Sequence, residues 1–260
     1  MEQTAPRFLQ QARVFAEQLA DAARLIAMAH FRQLLAVEHK ADRSPVTIAD
    51  RAIEARLREL IGATFPGHGI LGEEFGHAPG ARYTWVLDPI DGTKSFITGL
   101  PLFGTLVCLL DGARPILGLI DIPATGERWL GLAGSVTVFN AIECRASQCV
   151  AIESACIYTT SPDAFTAQEW SRYDMLSRRA ALRRYGGDCY SYGQLASGHC
   201  DLVVEAGLQP YDFMALVPVV QGAGGRISDW RGEPLGLQSS GQVLAAANEP
   251  LWRQALAALA

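Results

Sequence analysis

The chain has 260 residues, 49% of them apolar, and a formal net charge of −5, which suits one large domain or two lobes sharing an interface and leaves disorder no compositional support. No apolar run reaches the roughly 18 residues a membrane span needs, the N-terminal stretch is charged too often for a signal peptide, and no basic run exceeds two residues. A soluble cytoplasmic protein without a nucleic-acid or membrane partner is therefore expected, although a small phosphate held through divalent cations suits an acidic chain.

In chain order, Phe8, Ala12, Phe15, Leu19, Ala22, Ile26 and Ala29 are spaced alternately four and three apart, one face of a long amphipathic helix. After a loop at Ser44-Pro45, Thr47 and Asp50 read as an N-cap and its N3 carboxylate, and Ile53, Leu57, Leu60 and Ile61 supply a second helical stripe. From Trp85 to about Leu132, short apolar runs broken by Gly, Pro and Asp predict a sheet of hairpins. Beyond Ser147 the pattern alternates, with helix over Cys189 to Ser197, strand over Asp201 to Ala206 and helix over Tyr211 to Gln221, as in an α/β unit. Pro218 is at odds with the last of these, since an interior proline removes a hydrogen bond and kinks a helix.

Chemistry concentrates in Trp85-Val86-Leu87-Asp88-Pro89-Ile90-Asp91-Gly92-Thr93, an apolar strand that runs into two aspartates, a glycine and a threonine. Carboxylates that converge on one point repel unless a cation compensates, and hard oxygen donors favour Mg²⁺ over zinc. Gly92 permits close backbone approach, and the amides of Gly92 and Thr93 would face phosphate oxygens if a helix starts there. Asp-Pro and Asp-Gly alone would mark only a turn. Their company changes the reading: Gly72-Glu73-Glu74 lies upstream and Pro210-Tyr211-Asp212 opens a helix downstream. The six cysteines form no C-x-x-C pair and Cys189 opens no C-x-x-x-x-x-R loop, so free thiols are expected. The five histidines are scattered, without metal-binding spacing.

Gly72-Glu73-Glu74, Asp88-Pro89-Ile90-Asp91-Gly92-Thr93 and Pro210-Tyr211-Asp212 followed by Ala223-Gly224-Gly225 resemble, in order and spacing, the signatures of the inositol-monophosphatase superfamily. The resemblance runs from about Pro45 to the C-terminus. It implies an α+β / α/β fold, a five-layer αβαβα sandwich, with residues 1–147 as an N-terminal α+β lobe and 148–260 as a C-terminal α/β lobe. It further implies a homodimer and a Mg²⁺-dependent phosphomonoesterase acting on a small phosphorylated metabolite. By the same resemblance Glu73, Asp88, the Ile90 carbonyl, Asp91 and Asp212 ligate up to three Mg²⁺ ions, and Thr93 and Asp50 orient and help deprotonate the attacking water. Glu74 is expected either just outside the ligand set or as a solvated carboxylate. Within the family, Arg184-Tyr185-Gly186-Gly187-Asp188-Cys189-Tyr190 is similar to the histidinol-phosphatase branch, as are Thr159-Thr160-Ser161-Pro162 and Lys94-Ser95-Phe96. Histidinol phosphate carries an ammonium and an imidazole, so its pocket should hold carboxylates opposite the phosphate, a task open to Asp188 and Glu205. Asp91, Gly92, Thr93, Lys94 and Asp212 complete the expected substrate contacts. Arg184 either pairs with Asp188 or Asp212, reaches the substrate, or is a solvated charge. An inositol-1-phosphate or broad sugar phosphatase, and a non-catalytic metal-binding paralogue, remain as alternatives. Between Gly131 and Val150 the chain departs from the family, with Asn140-Ala141 in place of an Asn-Gly hairpin, which puts that hairpin in doubt.

Overall fold

The computed structural model describes residues 6–33, 37–39 and 45–260. Two large sheets and three helical layers alternate. The first sheet has eight strands, whose central four are Tyr83–Asp91, Gly104–Asp111, Arg114–Ile122 and Glu127–Leu132. Alternation of side chains sorts its residues into two cores. Trp85, Leu87, Val107, Leu109, Leu117 and Leu119 pack against helix α1 (Pro6–His30) and helix α2 (Ile48–Thr64). Val86, Leu106, Cys108, Ile120 and Ile122 face the other way, onto an inner helical layer.

That inner layer also meets a second sheet of five strands, ordered Leu182–Tyr185, Cys156–Thr159, Leu202–Glu205, Val243–Ala246 and Arg226–Ser228. The first three run parallel and the last two pairings are antiparallel. Val203, Val243 and Ala245 point inward, whereas Ile157, Leu202, Val204 and Leu244 point outward to Tyr173, Leu251 and Trp252 on the outermost helices. The layers therefore read α, β, α, β, α, the expected sandwich.

Two local expectations change. The stripe of α1 buries Ala12, Phe15, Ala16, Leu19, Ala20, Ala23 and Ala27, while Ala29 is exposed. A spacing of 3.5 drifts by about 20° per heptad on a straight helix, so the buried face rotates off the expected line towards the C-terminal end. The N-cap at Thr47 and the loop residue Ser44 fall outside the described side chains; Asp50 does lie in the first turn of α2. The helix expected over Tyr211 to Gln221 is two helices, Pro210–Phe213 and Leu216–Gly222. Pro218 thereby sits in the first turn of the second, where its missing N–H has no intrahelical acceptor to lose. This junction presses on the first sheet where Gly118 and Gly131 pair across neighbouring strands; a Cβ on either would strike the backbone of Ala215 or Pro218.

The hairpin in doubt does form. Val138–Phe139 and Ile142–Glu143 pair around Asn140-Ala141, with φ of 46° and 68° at the two turn residues. Both lie in the left-handed region that two-residue hairpins demand.

Candidate active site

Asp88 and Asp91 stand three apart on a strand whose side chains alternate, so a regular strand would point them to opposite faces. The ladder to Gly104–Asp111 shows how they meet. Asp88 pairs with Leu106 and Asp91 with Gly104, so the strand carries one extra residue between them. Such a bulge resets the alternation and turns both carboxylates to the inner side. Pro89, which cannot donate to a ladder, occupies the bulge, and its carbonyl accepts from Thr105 Oγ1 at 2.8 Å.

Asp212 joins them from the first turn of Pro210–Phe213, where its Oδ2 accepts the Gln209 amide at 2.7 Å. Ligand atoms of Asp88, Asp91 and Asp212 all lie within 4.8 Å of one another. Burial first, then the neighbouring Glu73, Asp91 and Asp212, pushes the Asp88 carboxyl well above its usual range. Burial and Asp188 do the same to Asp91, against the opposing hydrogen bond from the Cys189 amide. Burial raises Asp212 to about 7, with Glu73 and Glu205 adding to it. Asp88 Oδ1 is buried without a hydrogen-bond partner among the described residues. Mutual repulsion and an orphaned buried oxygen are what a divalent cation would relieve.

The cluster forms one end of a cavity of about 510 Å³ lined also by Glu73, Ile90, Gly92, Thr93, Lys94 and Ser95. A short helix, Thr93–Ile97, begins directly after Gly92, whose φ of 80° suits glycine. Thr93 Oγ1 donates to the Ile90 carbonyl at 3.1 Å. Asp50 is buried in the first turn of α2 and does not itself line the cavity. Glu74 does not line it either; its carboxylate lies 3.9 Å from Arg51.

The remaining lining comes from the C-terminal ends of second-sheet strands: Thr159, Thr160 and Ser161 after one, Glu205 at the end of another, and Asp188 after a third. Glu205 is 5% exposed and accepts from Tyr192 Oη at 2.8 Å and from the Thr160 amide at 3.1 Å. Burial raises its carboxyl against those two bonds. Asp188 lines the cavity, accepts from Ser95 Oγ at 3.2 Å and packs where a Cβ on Gly92 would collide with it. Its backbone adopts φ 47°, ψ −134°, a strained conformation for a non-glycine residue that folds the side chain back towards Gly92. Of the alternatives for Arg184, the structure has it exposed on the edge strand Leu182–Tyr185, outside the lining of the cavity. Asp163 and Tyr192 line the cavity and went unpredicted. Asp163 lies in the short 3₁₀ helix Pro162–Ala164, and only tertiary structure brings that turn to the site.

The six cysteines are free thiols, and among the described residues no helix is long and apolar enough to cross a membrane.

Comparison with known proteins agrees with this geometry. The chain is 45% identical over 251 residues to the bifunctional phosphatase IMPL2, chloroplastic, of Arabidopsis thaliana, covering 93% of this chain and 72% of that one. It is 37% identical over 247 residues to a histidinol-phosphatase of Chlorobaculum parvum, covering 93% and 94%. Among solved structures, an inositol monophosphatase from Zymomonas mobilis superposes with a TM-score of 0.89 at 44% identity, covering 96% and 98% of the two chains. The profile of the inositol monophosphatase family matches residues 9–260, and with the carboxylate cluster in place the chain belongs to that family of metal-dependent phosphatases of small phosphorylated substrates.

Proposed function

We propose that the protein is a Mg²⁺-dependent phosphomonoesterase that hydrolyses L-histidinol phosphate to L-histidinol and phosphate. The observation that carries this reading is the cavity's charge pattern. Acidic residues cluster at the Asp88, Asp91 and Asp212 end, and a separate buried carboxylate, Glu205, lines the wall with Asp163. A substrate with a phosphate at one end and an ammonium and imidazole at the other would be oriented by both. The identity to a histidinol-phosphatase over nearly all of both chains supports the same substrate.

The donor set fits Mg²⁺: carboxylates of Glu73, Asp88, Asp91 and Asp212 with the Ile90 carbonyl are hard oxygen ligands. Up to three ions held there would offset phosphate charge, stabilise the departing alkoxide and acidify a water. The chain's own residues do the rest. Thr93 donates its hydroxyl hydrogen bond to the Ile90 carbonyl, which leaves its lone pairs to accept a hydrogen bond from the attacking water and so orient it. Asp50 is assigned as the carboxylate completing that pair. Lys94, beside Asp188, adds positive charge near the phosphate end. The two-lobe division at residues 147 and 148, a homodimer and a cytoplasmic location belong to the same proposal.

A second reading, inositol 1-phosphate hydrolysis, is favoured by the 44% identity to the Zymomonas inositol monophosphatase. A carboxylate such as Glu205 also accepts bonds from neutral hydroxyls. Phosphate release from L-histidinol phosphate, inositol 1-phosphate, fructose 1,6-bisphosphate and adenosine 3′,5′-bisphosphate separates the two. Histidinol phosphate should give the highest kcat/KM. Glu205→Gln should narrow its lead over inositol 1-phosphate roughly tenfold, about 1.4 kcal/mol. If inositol 1-phosphate wins in the wild type, the substrate is reassigned and the phosphatase chemistry stands.

A further inference from the structure

Glu54 is a charged residue with no exposed surface, set in α2 between the core residues Ile53 and Leu57. Burying a carboxylate costs several kcal/mol unless it is paired and fully hydrogen-bonded. Here every partner lies on one short turn or serves it. Glu54 Oε2 accepts the Glu74 amide at 2.6 Å and Oε1 accepts the Phe75 amide at 3.1 Å. Arg58, one helical turn on, donates Nε to Glu54 Oε1 at 2.7 Å and also bonds the carbonyl of Gly76. Gly72 completes the seat, because a Cβ there would overlap the Glu54 carboxylate.

The turn so held runs from Gly72 to Gly76, which pair as its closing rung. It carries Glu73, which lines the cavity beside Asp88. Apolar packing does little to fix it: Phe75 is 53% exposed, and the strand Gly76–Ala78 that follows is exposed throughout. Charge-assisted bonds from two successive amides to one carboxylate are the strong, directional contacts available to set its backbone.

We propose that Glu54, with Arg58, is the positioning residue of the Glu73 carboxylate, and that its role is to pre-set that ligand for divalent cation. The inference rests on the reading of Glu73 as a metal ligand. Groups that orient ligands from outside the coordination shell typically carry 10- to 100-fold in metal affinity. A buried helix carboxylate that bonds to the amides next to a ligand fits that role.

Mn²⁺ binding, read from the loss of the free-ion EPR signal, tests it on the full chain beside Mg²⁺-activation curves and thermal melting. Glu54→Gln, which keeps the shape but not the charge, should weaken Mn²⁺ binding and raise the Mg²⁺ needed for half activity, each about tenfold. The KM for substrate at saturating Mg²⁺ should not move, a split that general destabilisation would not produce. Glu54→Asp, which keeps the charge but shortens the reach, should give the same direction and serves if Glu54→Gln does not fold. Glu73→Gln is the control. If it weakens Mn²⁺ binding while folded Glu54 variants bind as the wild type does, the positioning role is overturned and the site assignment stands. If Glu73→Gln also binds normally, the assignment of Glu73 falls, and the positioning role with it.

Discussion

Asp91 needs a broken alternation to share a ligand with Asp88, and the bulge at Pro89 provides it. Burial, then Asp188 and Asp212, raises its carboxyl against the hydrogen bond from the Cys189 amide, so a cation beside it would favour its charged form. Asp91→Asn keeps the volume and removes that charge. Phosphate release at saturating Mg²⁺ should fall roughly 10²-fold or more, and an unchanged rate would remove Asp91 from the site. Much of this was legible in the sequence, because the Asp88 to Thr93 string is contiguous and its chemistry is local. Asp188 was legible as a cavity residue but not in its orientation, which depends on positive φ at Gly187 and Asp188. Glu54 was not legible at all. A glutamate inside an apolar helical stripe reads as a boundary residue until the turn it bonds to, 20 residues away, is folded against it.

At the scale of elements, the Asn140-Ala141 hairpin shows a sequence overruled by its surroundings. Asn140 tolerates the left-handed region and is tied to Arg128, its Oδ1 accepting the Arg128 amide at 2.9 Å. Ala141 has no such compensation: it is exposed, with φ at 68°. An L-residue in that conformation is strained by about 1–2 kcal/mol, while glycine brings back part of this as unfolded-state entropy. Ala141→Gly should therefore stabilise the protein by about 1 kcal/mol, read as a rise of roughly 2–3 °C in Tm for a chain of this size, with activity unaffected. A lower Tm would mean that the alanine methyl packs better than its exposure suggests. The strands and the helix Cys189–Ala196 could be read because their periodicity is local. The break at Met214 and Ala215 could not, since it follows from the fit of that junction against Gly118 and Gly131.

Across the whole molecule, the site couples both sheets: Asp88 and Asp91 come from the first, while Asp212 follows the strand Leu202–Glu205 of the second. Three carboxylates brought together by folding repel one another without a cation, and their protonation is linked to stability. The sign follows from the direction of the shifts. Asp88, Asp91 and Asp212 are all raised above their unfolded values, Asp212 to about 7. Each contributes stability that is fully present below the unfolded carboxyl range and is lost as pH rises through the folded pKa. Metal-free protein should accordingly lose stability at this site on going from pH 6 to pH 8. A divalent cation reverses the penalty, since it binds the deprotonated carboxylates and competes with protons for them. The rise in Tm on adding saturating Mg²⁺ should then be larger at pH 8 than at pH 6, measured by scanning calorimetry against a chelator-treated control. Asp91→Asn should shrink the difference between the two pH values. Equal Mg²⁺ stabilisation at both would show that the three carboxylates do not change protonation between pH 6 and pH 8, so that no proton competes with the cation there.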